Sequence, residues 1–249
     1  MTYLQLEDIT KTFGGKNVLD GISATIQKGE FCAFIGPSGC GKSTLLNIIA
    51  GIEKADGGKV MLGGKPDGVQ DAAGFMPQQD LLLPWRTALQ NIVLPLEIKG
   101  VRKRERILRG MEVLRQFGLE DYAGHYPASL SGGMRQRISF LRTYLCEKPV
   151  MLLDEPFGKL DAFTKMDVHR WLLESWEKGN QTILMVTHDL DEAVLLSDRV
   201  FVMSQQPSVI IHELKVHLPR PRKWEMLSSY VLKKDKDELL RELASFLGK

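Results

Sequence analysis

The sequence predicts an α/β protein whose core is a parallel sheet, with an antiparallel β subdomain at the N-terminus and an α-helical subdomain inserted between core strands. Two apolar runs, Val150 to Leu153 and Ile183 to Val186, bracket a helical stretch at about 163–178. This strand–helix–strand order is typical of a parallel sheet. The first third of the chain instead alternates short strand-like runs with glycine-rich breaks. From about 86 to 146 the apolar period is helical.

Each element follows from a local pattern in the chain. Strands are predicted at Leu4–Ile9, Ile22–Ile26, Phe31–Ile35, Val60–Leu62 and Ala73–Met76. Helical spacing appears in the insert at Ile107, Met111, Leu114 and Phe117, and in the tail at Leu239, Leu243, Phe246 and Leu247. We expect a single domain, 1–249, in which 1–85 and 147–205 form the β subdomain and core. Residues 86–146 then form the insert, and 206–249 a short C-terminal extension.

The composition limits the classes of function. With 249 residues, of which 43% are hydrophobic, the chain can bury a full core, and 33 basic against 31 acidic side chains give no field that favours nucleic acid. Cys32, Cys40 and Cys146 show no disulfide or zinc spacing, which favours a reducing cytosol. Because no signal sequence and no apolar run of about 18 residues is recognised, we expect membrane contact only through another protein.

A glycine-rich segment, GPSGCGKST, follows the predicted strand Phe31–Ile35 and leads into a helical run, Leu45–Ala50. It consists of Gly36, Pro37, Ser38, Gly39, Cys40, Gly41, Lys42, Ser43 and Thr44. Glycines at this spacing let backbone N–H groups converge on phosphate oxygens at a helix N-terminus. In the pattern, the lysine reaches the β- and γ-phosphates and the serine hydroxyl binds Mg²⁺. The segment predicts a P-loop NTPase core that binds ATP and Mg²⁺.

Acidic side chains are predicted beside this loop. The buried strand Val150–Leu153 is followed by Asp154 and Glu155, at the sheet edge where ligands of open α/β sheets bind. Because neighbouring strand residues point in opposite directions, we expect Asp154 to serve Mg²⁺ and Glu155 to polarise the attacking water. His188 follows the next predicted strand, where a contact with the γ-phosphate is geometrically natural. Alone, the acidic pair would equally well be a solvated turn.

A second segment, LSGGMRQR, resembles an anion-binding helix start. Ser131 can cap the helix, and Gly132 and Gly133 free their backbone N–H groups. One reading is a helix cap and nothing more. The other is a second binding element for the γ-phosphate. A single subunit does not need a second element, because its P-loop already binds that phosphate. A composite site between two subunits would use both phosphate-binding elements.

Together with VMLLDEP, the octet LSGGMRQR closely resembles the ATP-binding cassette (ABC) family, over roughly Leu4 to Met203. The resemblance implies a RecA-like core, ATP hydrolysis and a homodimer in which two cassettes enclose two ATP molecules head to tail. Each nucleotide would contact the P-loop of one subunit and the Ser131–Gly133 segment, with Gln136, of the other.

The resemblance also implies roles for residues outside these two segments. Phe13 matches the aromatic that stacks on adenine, and Gln78 matches the glutamine that contacts Mg²⁺ and water and reports to the membrane subunit. Asp161 matches the aspartate of the loop at the dimer interface, and His188 matches the γ-phosphate histidine. The implied catalytic set is thus Glu155, His188, Gln78 and Lys42, with Ser43, Gln78 and Asp154 at the metal.

Two residues depart from the family pattern. Pro77 replaces the usual aromatic before the glutamine, and Lys159 replaces a small residue before Leu160 and Asp161. Neither belongs to the implied catalytic set. The departures concern the local backbone of the glutamine loop and the way the interface loop meets the second subunit.

The segments LLLPWR, at 81–86, EPFG and LDAFT resemble bacterial importers of nitrate, sulfonates, taurine and thiamine-precursor pyrimidines. This implies a peripheral ATPase subunit at the cytoplasmic face of the membrane. Its partners would be transmembrane permease subunits and, indirectly, an extracytoplasmic solute-binding protein, with no nucleic acid. Rival hypotheses are a soluble ABC-type ATPase that acts on nucleic acid or ribosomes, and a regulatory ATP-binding module.

Two features remain open at this level. Trp85 either lines a groove for a permease helix or plugs the insert against the core. The basic stretch Lys99 to Arg109 forms a solvated helix face, contacts anionic lipid headgroups, or binds nucleic acid, in falling order of preference.

Overall fold

The computed structural model describes residues 2–66, 68–179 and 181–247. The strands are β1 Thr2–Phe13, β2 Lys16–Gln27, β3 Phe31–Ile35, β4 Gly57–Leu62, β5 Lys65–Pro66, β6 Ala73–Met76, β7 Val150–Asp154, β8 Thr182–Val186, β9 Arg199–Met203 and β10 Ile210–Lys215. The helices are α1 Lys42–Ile49, α2 Val69–Ala72, α3 Ala88–Ile92, α4 Leu94–Ile98, α5 Lys103–Gln116, α6 Gly132–Tyr144, α7 Ala162–Gly179, α8 Leu190–Leu196 and α9 Tyr230–Leu247. Short 3₁₀ turns lie at Glu120–Tyr122, Pro127–Ser129 and Trp224–Ser228.

Two sheets divide the β structure. The first has the strand order β2-β1-β4-β5, and its neighbouring strands are antiparallel. The second has the order β10-β9-β3-β8-β7-β6, parallel except for β10 at one edge. Strands β3, β7 and β8 are buried along their whole length, because helices or the first sheet cover both faces. The predicted α/β fold with an antiparallel β subdomain is confirmed.

The parallel order places four strand ends side by side. Within the second sheet, β3, β8, β7 and β6 are consecutive neighbours. Their carboxyl ends therefore lie along one edge, followed in the chain by the P-loop, by Thr187 and His188, by Glu155, and by Pro77 and Gln78. The topology, rather than any sequence proximity, brings these four segments together.

Helices α3 to α6 fill the chain between β6 and β7, where 77–149 contains no strand. The insert packs on the core through apolar side chains such as Leu114, Ile138 and Phe140. None of the helices in the described ranges is long and apolar enough to cross a membrane.

The C-terminal extension packs back onto the core. Leu239 of α9 is fully buried and Leu243 is partly buried against the same apolar cluster. The side chains of Phe246 and Leu247, which the helical pattern also placed on this face, lie outside the described residues. Strands β9 and β10 were absent from the sequence prediction. They extend the parallel sheet on the side of β3 that faces away from β8.

Candidate functional site

The P-loop is held by close backbone packing at its two ends. A Cβ atom on Gly36 would lie 2.7 Å from the carbonyl oxygen of Met203, so only glycine fits there. Gly41, the residue before α1, has φ 113°, a conformation that favours glycine, and it packs against Val18 and Leu19 of β2. No side chain caps α1. The backbone N–H groups of the first turn therefore face the loop without a side-chain acceptor.

Lys42 is the buried cation of this loop. Its side chain is almost fully enclosed, and its Nζ donates to the carbonyl oxygens of Gly36 and Pro37, at 2.8 Å each. The Cys40 sulfur is 3.7 Å from the same nitrogen. Ser38 and Gly39 are exposed on the outer side of the loop, where the Gly39 carbonyl accepts from Nε2 of Gln206 at 2.6 Å. Gln206 is a loop-holding residue that the sequence patterns did not reveal.

Asp154 ends β7 beneath the loop and is 3% exposed. Burial raises the pKa of this carboxyl, whereas a hydrogen bond with Ser43 and the charge of Lys42 act in the opposite direction. Its Oδ1 is buried and has no hydrogen-bond partner in the structure. A buried acceptor of this kind beside a serine hydroxyl fits an oxygen-preferring cation such as Mg²⁺. The predicted metal ligands Ser43 and Asp154 thus lie together.

Glu155 turns the chain away from the sheet in an unusual conformation. Its φ is 47°, in the left-handed region that costs a non-glycine residue on the order of 1 kcal/mol or more. The backbone is fixed on both sides, because its N–H donates to Val186 O at 2.9 Å and its carbonyl accepts from Gln136 Nε2 at 2.9 Å. Hydrogen bonds to β8 and α6 thus hold this strained backbone in place.

The Glu155 carboxylate joins two other predicted residues. Gln78 Nε2 donates to Oε2 at 3.0 Å, and His188 Nδ1 lies 3.5 Å from Oε1. Gln78 and His188 are exposed, while Glu155 is partly shielded. The structure therefore brings Glu155, Gln78 and His188 together in one cluster at the sheet edge.

Gln136 requires a correction. The resemblance implied that this residue contacts the nucleotide, but its side chain is 3% exposed and both ends of its amide form hydrogen bonds within the chain. Nε2 donates to Glu155 O at 2.9 Å, and Oε1 accepts from Lys159 N at 2.8 Å. Gln136 therefore links the backbone of Glu155 to that of Lys159, on either side of Phe157, and its amide is not free to contact a nucleotide. It shares its helix face with buried Phe140 and Thr143, a spacing of i, i+4 and i+7 that indicated this orientation.

The start of α6 is a second, separate helix N-terminus. Ser131 is exposed and its side chain accepts from Met134 N at 3.2 Å, so the predicted capping role is present. Gly132 and Gly133 form the first helical turn and are partly exposed. A Cβ atom on Gly133 would touch Leu160 Cδ2 and the Lys159 carbonyl, at 3.4 and 3.5 Å. This surface lies beside the loop that carries Asp161.

Asp161 and Phe13 lie on exposed surfaces. Asp161 accepts from the backbone N–H and the hydroxyl of Thr164, at 3.0 and 2.7 Å, and these hydrogen bonds lower the pKa of its carboxyl. Phe13 is 46% exposed at the tip of the β1–β2 hairpin. Lys11 Nζ lies 4.9 Å from the centre of its ring. Because β2 also packs on Gly41, this hairpin flanks the P-loop.

The loop after Gln78 is tied to α6 by two arginines that the sequence analysis did not single out. Arg135 Nε donates to Asp80 Oδ2 at 3.1 Å. Arg142 donates to the carbonyl oxygens of Asp80 and Leu81, at 2.8 Å each. Leu81 adopts φ 42°, which these hydrogen bonds hold in place. The loop thus links Gln78 to the surface of the insert.

One known protein family matches more than half of this chain. Residues 19–158 match the ABC transporter family. The chain belongs to the ABC transporter family. It is accordingly an ATP-binding cassette, an enzyme that hydrolyses ATP, and the P-loop NTPase fold is confirmed.

Relatives and solved structures match over most of their length. The chain is 39% identical to the formylaminopyrimidine import ATP-binding protein of Halalkalibacterium halodurans, over 98% of this chain and 96% of the relative. It is 40% identical to the aliphatic sulfonates import ATP-binding protein of Bacillus cereus, over 88% of each chain. A dimeric ATP-binding cassette in a post-hydrolysis state, bound to ADP and Pi, superimposes with a TM-score of 0.79 at 32% identity, covering 87% of this chain and all of that one. The predicted resemblance to this importer group is confirmed.

Proposed function

We propose that this cassette is the ATP-hydrolysing subunit of a solute importer and that it acts on a separate transmembrane permease. The observation that carries the proposal is the hydrogen bond between Gln78 and Glu155. This hydrogen bond places the Glu155 carboxylate, which is predicted to be catalytic, at the Gln78 end of a loop. The other end of that loop carries exposed Trp85. Relatives named as import ATP-binding proteins support this reading. The transported solute would be selected by the permease and an extracytoplasmic binding protein.

Nucleotide binding is assigned to the P-loop edge. The backbone N–H groups at the start of α1 and the Lys42 ammonium would hold the phosphates, with the Phe13 ring against adenine. Ser43 and Asp154 would hold Mg²⁺, with Gln78 as a further ligand. When bound, the ion neutralises charge on the phosphate oxygens. The unpaired, buried Oδ1 of Asp154 supports this assignment.

Hydrolysis is assigned to the cluster around Glu155. Its carboxylate accepts the proton of the attacking water, since it lies at the sheet edge beside the loop that would hold the γ-phosphate. Gln78 orients the carboxylate through Oε2, and His188, close to Oε1, is placed to contact the γ-phosphate. This cluster argues against a regulatory module without catalysis.

A head-to-tail homodimer would complete each site. The start of α6 offers N–H groups and an exposed serine, but the Lys42 ammonium and the Asp154 carboxylate lie at the other helix start, α1. We infer that the Ser131–Gly133 turn closes on the γ-phosphate held by a second subunit, with Asp161 at the contact. The dimeric state of the similar cassette supports this inference.

The permease surface is assigned to the helical insert. Trp85 is 70% exposed, which excludes the alternative that it plugs the insert against the core. It lines a groove of about 590 Å³ with Arg86, Gln90, Val93 and Ile107. Asn91 fixes the groove to the loop, because its side chain bonds the backbone of Leu83, Arg86 and Thr87. An amphipathic helix from the permease would fit this groove.

The basic stretch Lys99 to Arg109, which contributes Ile107 to the groove, is partly neutralised. Arg106 pairs with Glu97, and Lys99 and Arg109 pair with Glu147. Among the residues that the structure describes, this leaves a solvated face with mixed charge rather than a continuous basic surface, which disfavours nucleic acid as a partner. The cassette would lie at the cytoplasmic face of the membrane through its permease.

The assigned permease surface is tested by measuring permease binding and ATP hydrolysis separately in the same variant. Trp85→Ala is expected to abolish co-purification with the permease in mild detergent, since exposed aromatic anchors dominate interface energies. The hydrolysis rate of the isolated cassette should not change. Exposed Leu108, replaced by Ala on the same insert but outside the groove, serves as the control. Retained permease binding by Trp85→Ala would refute the assigned surface.

A further inference from the structure

A bridge of charged side chains joins the first turns of α7 and α8. Lys165 Nζ donates to Glu192 Oε1 at 2.8 Å and lies 3.3 Å from Asp189 Oδ2. At its own end, the Lys165 backbone N–H donates to the Asp161 carbonyl at 2.9 Å, in the first turn of α7. At the other end, Asp189 directly follows His188 and caps α8. The bridge therefore spans from the Asp161 loop to the His188 loop.

The carboxylate at the centre of this bridge is buried and fully engaged. Glu192 is 4% exposed, and its second oxygen accepts from the Thr187 hydroxyl at 2.6 Å. The same hydroxyl accepts from Asp189 N at 3.1 Å. Thr187 and Asp189 flank His188 on both sides, so Glu192 fixes the backbone that carries the histidine. A buried carboxylate depends strongly on such partners, because an unpaired charge is costly there.

A cavity lies beside the charged bridge, between the first turns of the two helices. Lys165, Asp189 and Glu192 line this cavity of about 370 Å³, together with Leu160 and Trp224. His169 also lines it, but burial lowers the pKa of its imidazole to about 3, so the ring is neutral and does not compete with Lys165 for the carboxylate. At this cavity, the contacts of Lys165 with Asp189 and Glu192 join the two first turns.

We propose that Lys165 is a positioning residue that couples the Asp161 loop to His188. The inference rests on the proposed function, in which Asp161 contacts the second subunit and His188 contacts the γ-phosphate. Closure of the dimer would displace the first turn of α7, and the short bonds through Glu192 and Thr187 would carry that displacement to the histidine backbone. Lys165 thereby makes hydrolysis depend on subunit contact.

Steady-state kinetics of three variants test the coupling. Lys165→Met keeps the aliphatic stem but removes the cation, and kcat should fall roughly tenfold to a hundredfold, as for a misplaced catalytic group. The ATP concentration for half-maximal rate and the measured ATP affinity should stay unchanged. Lys165→Arg should restore most of kcat. Arg170→Met, an exposed position on the same helix that pairs with Asp167, should behave as wild type.

A His188→Ala variant separates the two proposals. If His188→Ala loses activity and Lys165→Met does not, the proposed coupling through Lys165 is wrong, whereas the assigned role of His188 stands. If His188→Ala keeps the wild-type kcat, the assigned role of His188 is wrong. The proposed coupling, which depends on that role, is then wrong as well. Should Lys165→Met lower the unfolding temperature and ATP affinity together, Glu192→Gln replaces it, because its amide retains the volume and an acceptor for Thr187. Wild-type kcat in a folded Glu192→Gln protein would then overturn the proposal.

Discussion

The starts of α1 and α6 are both helix N-termini shaped for an anion, but they differ in what surrounds them. Around α1, glycine replaces a capping side chain, a buried lysine points into the loop, and a buried carboxylate lies beneath it. Around α6, Ser131 caps the helix and the neighbouring surface is exposed. By the same backbone physics, the start of α1 is the more complete candidate for a phosphate site, and the start of α6 lacks a buried cation and carboxylate. This difference is the reason to propose that the start of α6 completes a site on another subunit.

The largest effect is expected from a variant at the P-loop edge that blocks hydrolysis but leaves the dimer able to close at α6. Glu155→Gln removes the proposed base but retains a side chain that Gln78 and His188 can contact. Hydrolysis should fall by a factor of about 10² or more, the usual contribution of a general base. ATP binding should persist, and size-exclusion chromatography with ATP and Mg²⁺ should show a trapped dimer. Undiminished phosphate release would contradict the assignment.

A smaller effect is expected at the edge of the nucleotide site. Phe13→Ala removes the ring that is assigned to adenine, and ATP affinity should fall roughly threefold to tenfold, the usual value of an aromatic contact. The maximal rate of hydrolysis should be unchanged, because Phe13 touches no phosphate group in the proposal. Phe13→Tyr is the matched control. Equal ATP affinities of Phe13→Ala and wild type, measured by titration calorimetry, would show that Phe13 is a packing residue.

The smallest effects should have opposite signs in the two regions. Asp154→Asn removes a buried charge, so the unfolding temperature of the nucleotide-free and metal-free protein should rise by about 2–4 °C at pH 7. Ser131→Ala removes a helix cap and should lower it by a similar amount.

The gain from Asp154→Asn has a defined pH dependence. Burial raises the pKa of Asp154 in the folded state. As the pH falls, the wild-type carboxyl therefore takes up its proton at a higher pH in the folded state than in the unfolded state. The advantage of the variant should therefore be largest at neutral pH and shrink as the pH drops through that raised pKa. A wild-type protein more stable than Asp154→Asn at pH 7, by calorimetry without ligands, would contradict this account of the P-loop edge.

Local patterns predicted the features that depend on neighbouring residues. The P-loop and the strands that precede it follow from glycine spacing and compact apolar runs, and the buried strands β7 and β8 follow from runs long enough for a strand but not for a helix. Strands β9 and β10 were missed, although Ser197, Asp198 and Arg199 separate the apolar end of α8 from the apolar run of β9.

Contacts between distant segments could not be predicted in this way. The octet LSGGMRQR suggested that Gln136 faces the nucleotide together with Ser131, whereas its amide bonds the backbone of Glu155 and Lys159, which are distant in the sequence. The anchoring of the glutamine loop by Arg135 and Arg142 depends on how the insert sits against the sheet. The bridge from Lys165 to Glu192 likewise joins two helices whose packing angle no local pattern specifies.

The composite site is tested most directly by mixing two inactive proteins. Lys42→Ala damages the P-loop and keeps the Ser131–Gly133 turn, whereas Ser131→Arg blocks that turn and keeps the P-loop. A mixed dimer then holds one complete site. An equimolar mixture should recover about a quarter of wild-type hydrolysis, since half of the dimers are mixed and each has one of two sites. If differently tagged subunits co-purify with ATP and the mixture stays as inactive as its components, the two halves do not form one site.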